Sequence, residues 1–201
     1  NAGVQTISTG STVTNTINYT VSSGTTLQMA ASGTTVIGGG TFTLSAGGTL
    51  GVTSDDGIST SGGTGNIQTT GRTYTAGSNL IYNGNASQIA GSGLANTTKA
   101  NVTINNPGNT VTLSGNTTIS AGLTVTAGST LDVSTYTFSG PTSISLGCGS
   151  TTATAITGTG LITLAGPITT TDAGTGTTGA TMSAPIALAA NRTFTVADDG
   201  S

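Results

Sequence analysis

The stretch 124–133 reads TVTAGSTLDV: Thr-Val-Thr, then Ala-Gly-Ser, then Thr-Leu-x-Val. Three other stretches align with it without gaps, TVSSGTTLQM at 20–29, TLSAGGTLGV at 43–52 and TYTAGSNLIY at 73–82. Val21, Leu44, Tyr74 and Val125 share the second place, Leu27, Leu50, Leu80 and Leu131 the eighth, and Met29, Val52, Tyr82 and Val133 the tenth. Places eight and ten lie two apart, the period at which strand side chains return to one face, so both are expected to point inward. The fifth place is always Gly, the residue that enters positive φ at no steric cost. Each copy therefore predicts a short strand, a tight corner and a second short strand.

Looser copies stand at 102–113 (VTINNPGNTVTL, which keeps the logic with one extra residue) and 187–196 (ALAANRTFTV). The clear copies start at 20, 43, 73 and 124, spaced by 23, 30 and 51 residues, and the copy at 102 bridges the last gap. Units of about 20–30 residues sharing one corner predict a coiled solenoid of parallel strands. A β-sandwich is the alternative, since it too is built of short strands. Residues 1–201 read as one segment with no domain linker, a fragment of a longer repetitive protein. The Gly, Ser and Thr-rich stretches 53–66 and 147–160 are expected to bulge from one edge.

Composition agrees with an all-β chain. About a quarter of the 201 residues are Thr, 33 are Gly, and mean hydropathy is +0.15. Thr and Val lose χ1 freedom in a helix and Gly costs about 1 kcal/mol per helical position, so helix is disfavoured. Disordered chains are rich in charge, whereas only 4% of this one is charged.

The same scarcity excludes whole classes of function. The three basic residues, Arg72, Lys99 and Arg192, are scattered, too few to neutralise a phosphate backbone or an anionic lipid surface. No apolar run approaches the roughly 20 residues a membrane helix needs, so membrane insertion is not expected. With no His, no Glu, one Lys and one Cys, acid–base chemistry falls to six Asp, and neither enzymatic activity nor a cofactor is expected. Cys148, flanked by glycines, reads as a small buried filler.

Asp55-Asp56-Gly57 and Asp198-Asp199-Gly200 read first as turns. Asp55, Asp56, Asp198 and Asp199 are the candidate calcium ligands, although calcium takes six to eight oxygens. Tyr19 and Tyr136 are the candidates for stacking on a sugar, because Tyr74 and Tyr82 occupy inward places. Thr-x-Thr triplets, which could order water on a flat solenoid face, occur at about the frequency that shuffling would give. Six Asn-x-Ser/Thr patterns, at Asn18, Asn85, Asn96, Asn101, Asn116 and Asn191, are likewise at chance level.

The block 82–133, YNGNASQIAGSGLANTTKANVTINNPGNTVTLSGNTTISAGLTVTAGSTLDV, resembles the repeat regions of very large surface adhesins that gliding bacteria export by the type IX route. The stretch 161–196, with LITLAGPITT and APIALAANRTFTV, is similar to repeats of autotransporter and filamentous haemagglutinin-like adhesins. The resemblance implies a right-handed parallel β-helix, secreted and displayed at the cell surface, that binds host, neighbouring-cell or abiotic surfaces or their glycans. The function expected is thus an adhesive or structural rod. A carbohydrate-binding or carbohydrate-active β-helix is the first alternative and an ice-binding solenoid the second. The cassette at 187–196 leaves only five residues to cover a final coil, so its edge is expected to stack on further coils of the same chain or of neighbouring chains.

Overall fold

A computed structural model describes residues 3–7, 11–14, 16, 18–30, 33–172 and 176–196. Nearly every element is a parallel β-strand, and the chain winds as a solenoid of about eight turns. One sheet runs its whole length. This long sheet consists, in order, of Val4–Ile7, Thr26–Met29, Thr49–Val52, Asn79–Tyr82, Val102–Ile104, Gly122–Val125, Ser143–Cys148, Ile168–Asp172 and Phe194–Thr195. Gln5, Leu27, Leu50, Leu80, Val102, Leu123, Ile144, Ile168 and Phe194 are register partners in succession, so the coils measure 22, 23, 30, 22, 21, 21, 24 and 26 residues.

From Leu27 to Ile168 this column is buried, and a second inward column beside it holds Met29, Val52, Tyr82, Ile104, Val125 and Leu146. Leu, Ile and Val stack coil upon coil, their branched side chains filling the pleat of the strand below. A narrow core thus forms without Trp and with only two Phe, Phe42 and Phe138.

The other faces differ between the two ends. In the first three coils a single bent sheet covers them: Thr35–Leu44 pairs Thr12–Thr14 through its first half and Tyr19–Val21 through its second, with Ile67–Tyr74 on its far side. The ten-residue strand turns the edge with one interruption of its ladder. Its register shifts between Gly38 and Thr41, where one extra residue bulges within the Gly38-Gly39-Gly40 run, and a bulge adds local bend and twist. Further along, two separate sheets replace it. The second sheet contains Gln88–Ile89, Thr110–Thr112, Thr130–Asp132, Thr154–Thr157 and Ala180–Met182, and the third Thr117–Thr118, Phe138–Ser139, Ile162–Leu164 and Ile186–Leu188.

All twelve apolar residues at places two, eight and ten of the four clear cassettes are at most 3% exposed. Their corner glycines, Gly24, Gly47, Gly77 and Gly128, sit at φ between 71° and 79°, and Gly108 of the looser copy at 80°. The cassettes do not share one corner of the coil, however. Those at 20, 43 and 73 run from the bent sheet into the long sheet, whereas those at 102 and 124 run from the long sheet into the second. Leu131 accordingly stacks with Val111 and Ile156, one face away from the Leu27–Leu50–Leu80 column.

Both Gly-rich stretches leave the corner that follows the long sheet, and both protrude less than their composition suggests. Thr53, Ser54 and Ile58 are buried, so the excursion is confined to 59–65; within 147–160, Cys148 ends one strand and Thr154–Thr157 forms another. Behind this corner runs a spine of buried amides and hydroxyls. Asn66 Oδ1 accepts the Thr53 and Ser54 N–H groups at 2.8 and 2.9 Å, and Gln88 Nε2 donates to the Val52 and Ser54 carbonyls at 3.0 and 2.9 Å. Asn106 Nδ2 reaches Gln88 Oε1 at 3.2 Å, and Ser129 Oγ accepts the Asn106 N–H at 2.9 Å. Turns that cannot bond to the coil above are satisfied from inside, as buried backbone groups must be.

Candidate functional surfaces

The outer face of the long sheet is built by the residues between the inward columns. Leu27, Leu50, Leu80 and Leu123 point in, so Thr26, Thr49, Asn79 and Gly122 form one outward row, and Gln28, Gly51, Ile81, Thr103, Thr124, Ser145 and Thr169 form its neighbour. None of these residues is charged. Strands repeat about every 4.8 Å, so nine of them make a face roughly 40 Å long. Amides stitch it together: Asn101 Nδ2 donates to Asn79 Oδ1 at 2.9 Å, and Asn101 Oδ1 accepts the Gly122 N–H at 3.0 Å. Gln28 lies flat across Gly51 and reaches Asn83 Oδ1, two coils away, at 3.2 Å. A Cβ on Gly51 would meet the Gln28 amide at 2.1 Å, so the bare glycine is what lets this strap lie down. Apart from Gly51, Ile81 and Gly122, the two rows are an array of hydroxyls and amides that both donate and accept.

The candidate ligand residues lie apart from one another. Asp55 and Asp56 are exposed on a turn closed by the Gly57 N–H to the Ser54 carbonyl at 2.9 Å, with Gly57 at φ 61°. Among the described residues no three His, Cys, Asp or Glu side chains come together to hold a metal ion. Asp198 and Asp199 lie outside the described residues.

Tyr19 is half-buried at the first coil, its ring stacked 6.1 Å from Phe42 at 7° and its hydroxyl donating to Gln5 Oε1 at 2.8 Å. Burial raises its pKa above the usual phenol value. Tyr136 is half-buried against the core five coils further on, roughly 24 Å away by strand spacing, so one ligand site cannot use both rings. Tyr74 and Tyr82 are buried as expected; the Tyr82 hydroxyl donates to the Ala90 carbonyl at 2.7 Å. Cys148 is buried beneath the end of its strand.

The cations serve the fold. Arg72 Nε donates to the Thr69 carbonyl at 2.9 Å and Nη1 to Ser59 Oγ at 2.8 Å, tying the 59–65 excursion down. Lys99, the only lysine, is fully buried, a placement that no pattern in its neighbours foretells. Its Nζ donates to Asn96 Oδ1 at 3.0 Å, the Thr97 carbonyl at 3.1 Å and Thr97 Oγ1 at 2.5 Å. Loss of hydration lowers its pKa to about 8. Among the described residues no helix is long and apolar enough to cross a membrane.

Comparison of the chain with protein-family models, with curated proteins and with solved structures finds no match in any of the three.

Proposed function

We propose that this chain is a rod segment of a secreted, cell-surface repeat protein, and that the outer face of its long sheet is the adhesive surface. One observation carries the reading: that face is continuous from coil to coil, its outward rows hold no charged residue, and it presents hydroxyl and amide groups at the strand repeat. A surface of this kind matches extended neutral partners that are themselves rows of hydroxyls, such as polysaccharide chains. It offers no charge by which to recognise phosphate or anionic lipid. Affinity per contact is low, and a rod gains from many weak contacts at once.

The apolar columns continue to the last described coil, where Leu188 and Phe194 are about half exposed. In this reading a further coil, of the same chain or a neighbouring one, stacks there.

The test is adhesion under flow, with beads carrying the oriented chain passed over cells and over neutral and anionic polysaccharide films. Retention on cells and neutral films is expected, falling at least tenfold when Thr103, Thr124 and Ser145 are together changed to Asp. Retention no better than that of albumin-coated beads, or unaltered by the triple change, would remove the long face from the reading.

A further inference from the structure

The long sheet runs unbroken through the coil 79–101, but the third face does not. The bent sheet ends at Ile67–Tyr74 and the third sheet begins at Thr117–Thr118. Between them, where a strand would continue the ladder, stand the four-residue helix Ser92–Ala95 and a single bridge from Lys99 to Ile119. The stretch is bonded to the coils on either side: Ser92 Oγ accepts the Thr60 N–H at 3.0 Å, the Gly93 N–H donates to the Ile58 carbonyl at 2.9 Å, Thr97 Oγ1 to the Tyr74 carbonyl at 2.8 Å and the Gly77 N–H to the Thr98 carbonyl at 2.9 Å. The Lys99 and Ala100 N–H groups donate to the Thr118 and Ser78 carbonyls at 3.1 and 2.8 Å, and their carbonyls accept the Ser120 and Ala121 N–H groups at 2.8 and 3.0 Å. Into this interruption of the third face the chain places its one lysine, fully buried. All three acceptors of its ammonium belong to residues 96 and 97, the same short stretch, so they move with it.

We propose that residues 92–101 form a joint that opens locally while the coils on either side stay wound, and that the charge on Lys99 sets how readily it opens. A buried ammonium paired with neutral acceptors alone is poorly compensated for its lost hydration. The surrounding elements supply no counter-charge. The helix Ser92–Ala95 and the strand Thr117–Thr118 carry no titratable side chain, and neither does Ser78 or Ala100. Tyr74 and Tyr82 on the preceding coil are both pushed up by burial, so they stay neutral through the range that matters. Of the carboxylates, Asp55 touches this coil only through its backbone carbonyl, which accepts the Ile89 N–H.

The direction follows from linkage. In the closed joint the amine loses its proton near pH 8, and once open to water near its ordinary 10.5. Below pH 8 closure therefore carries the full cost of burying the charge. That cost falls as pH rises through the window and is gone above about 10.5. Closing should gain about tenfold between pH 7 and pH 9.

Hydrogen exchange read amide by amide on the whole chain tests this, with rates corrected for their intrinsic pH dependence. The Lys99 and Ala100 amides are expected to exchange faster than those of 124–133 at pH 7 and to gain about tenfold in protection by pH 9, while 124–133 changes little. In Lys99→Met the gain should vanish and protection at pH 7 should already be high. Three results would overturn the proposal: protection at 99–100 that is flat from pH 7 to 9, a gain shared equally by 124–133, or a gain that persists in Lys99→Met. If the variant does not fold, the wild-type profile decides alone.

Discussion

The first three coils and the last four carry the same cassette and close the coil differently. At the start, one bent sheet covers two faces around aromatic rings, with Tyr19 and Phe42 stacked at 6.1 Å and Phe42 and Tyr74 tilted at 6.2 Å. Later the same two faces belong to separate sheets over Val111, Leu131, Ile156, Ile162 and Leu164, with Phe138 as the one fully buried ring. The cassette meanwhile moves one face round the coil. Its information is local, a corner with a strand on each side. The face on which it falls is decided by how the rest of the coil returns to the long sheet.

The largest expected difference between the regions lies in those rings. Phe42 and Phe138 are both fully buried, and truncation of either to Ala should cost about 3–5 kcal/mol. Phe42→Ala also strips Tyr19 and Tyr74 of their ring contacts, each worth about 0.5–1.5 kcal/mol beyond burial. Urea denaturation should therefore rank Phe42→Ala below Phe138→Ala by about 1–2 kcal/mol. Equal losses would mean that the first region is held by its bent sheet and not by its aromatic column.

The interior polar spine is expected to give the next effect, again unequal between regions. Asn66→Ala removes the acceptor of the Thr53 and Ser54 N–H groups and a donor to the Thr34 carbonyl, at an expected cost of about 2–4 kcal/mol. Asn106→Ala removes a donor from the Ala86 carbonyl and from Gln88 Oε1, which also accepts the Gly84 N–H, so about 1–2 kcal/mol is expected. Thermal melts of the two variants read the ordering directly. A milder effect at Asn66 would imply that water enters the excursion at 59–65 and takes over its bonds.

What the sequence disclosed follows the same division between local and global. The period-two pattern placed Leu27, Leu50, Leu80 and Leu131 inward, and the fifth-place glycines were read as positive-φ corners; both are local properties of strands and turns. The face each cassette occupies was not legible, because it depends on the summed geometry of segments that share no pattern. Buried polar residues were illegible for another reason. Asn66, Gln88 and Lys99 are types that normally lie at the surface, and nothing in their neighbours records that a turn lacks a bonding partner from the adjoining coil. The candidate ligand residues were picked by side-chain chemistry alone. The fold gives Asp55 and Asp56 a solvent-facing turn and gives Tyr19 a ring partner and a hydrogen bond of its own.

The smallest expected effect probes the cassette itself. Gly24 turns the corner from the bent sheet to the long sheet at φ 73°, and Gly108 turns that from the long sheet to the second at φ 80°. A Cβ at either would meet nothing within 4 Å, so neither position is closed by crowding. Substitution by Ala then costs only what an L-residue incurs in the left-handed region, about 1–2 kcal/mol, less a few tenths regained from the stiffer unfolded chain. If the cassette is a local unit indifferent to its face, Gly24→Ala and Gly108→Ala should lose the same stability within about 0.5 kcal/mol, by the same urea titration. Gly47 provides the contrast. Its added Cβ would lie 2.4 Å from Ser23 Oγ, a side chain free to rotate away, so Gly47→Ala should cost somewhat more than Gly24→Ala, and the excess should vanish in a Ser23→Gly background. A Gly108→Ala loss more than about 1 kcal/mol away from that of Gly24→Ala would show that the two corners bear different loads, and that the repeat is one of sequence without being one of energetics.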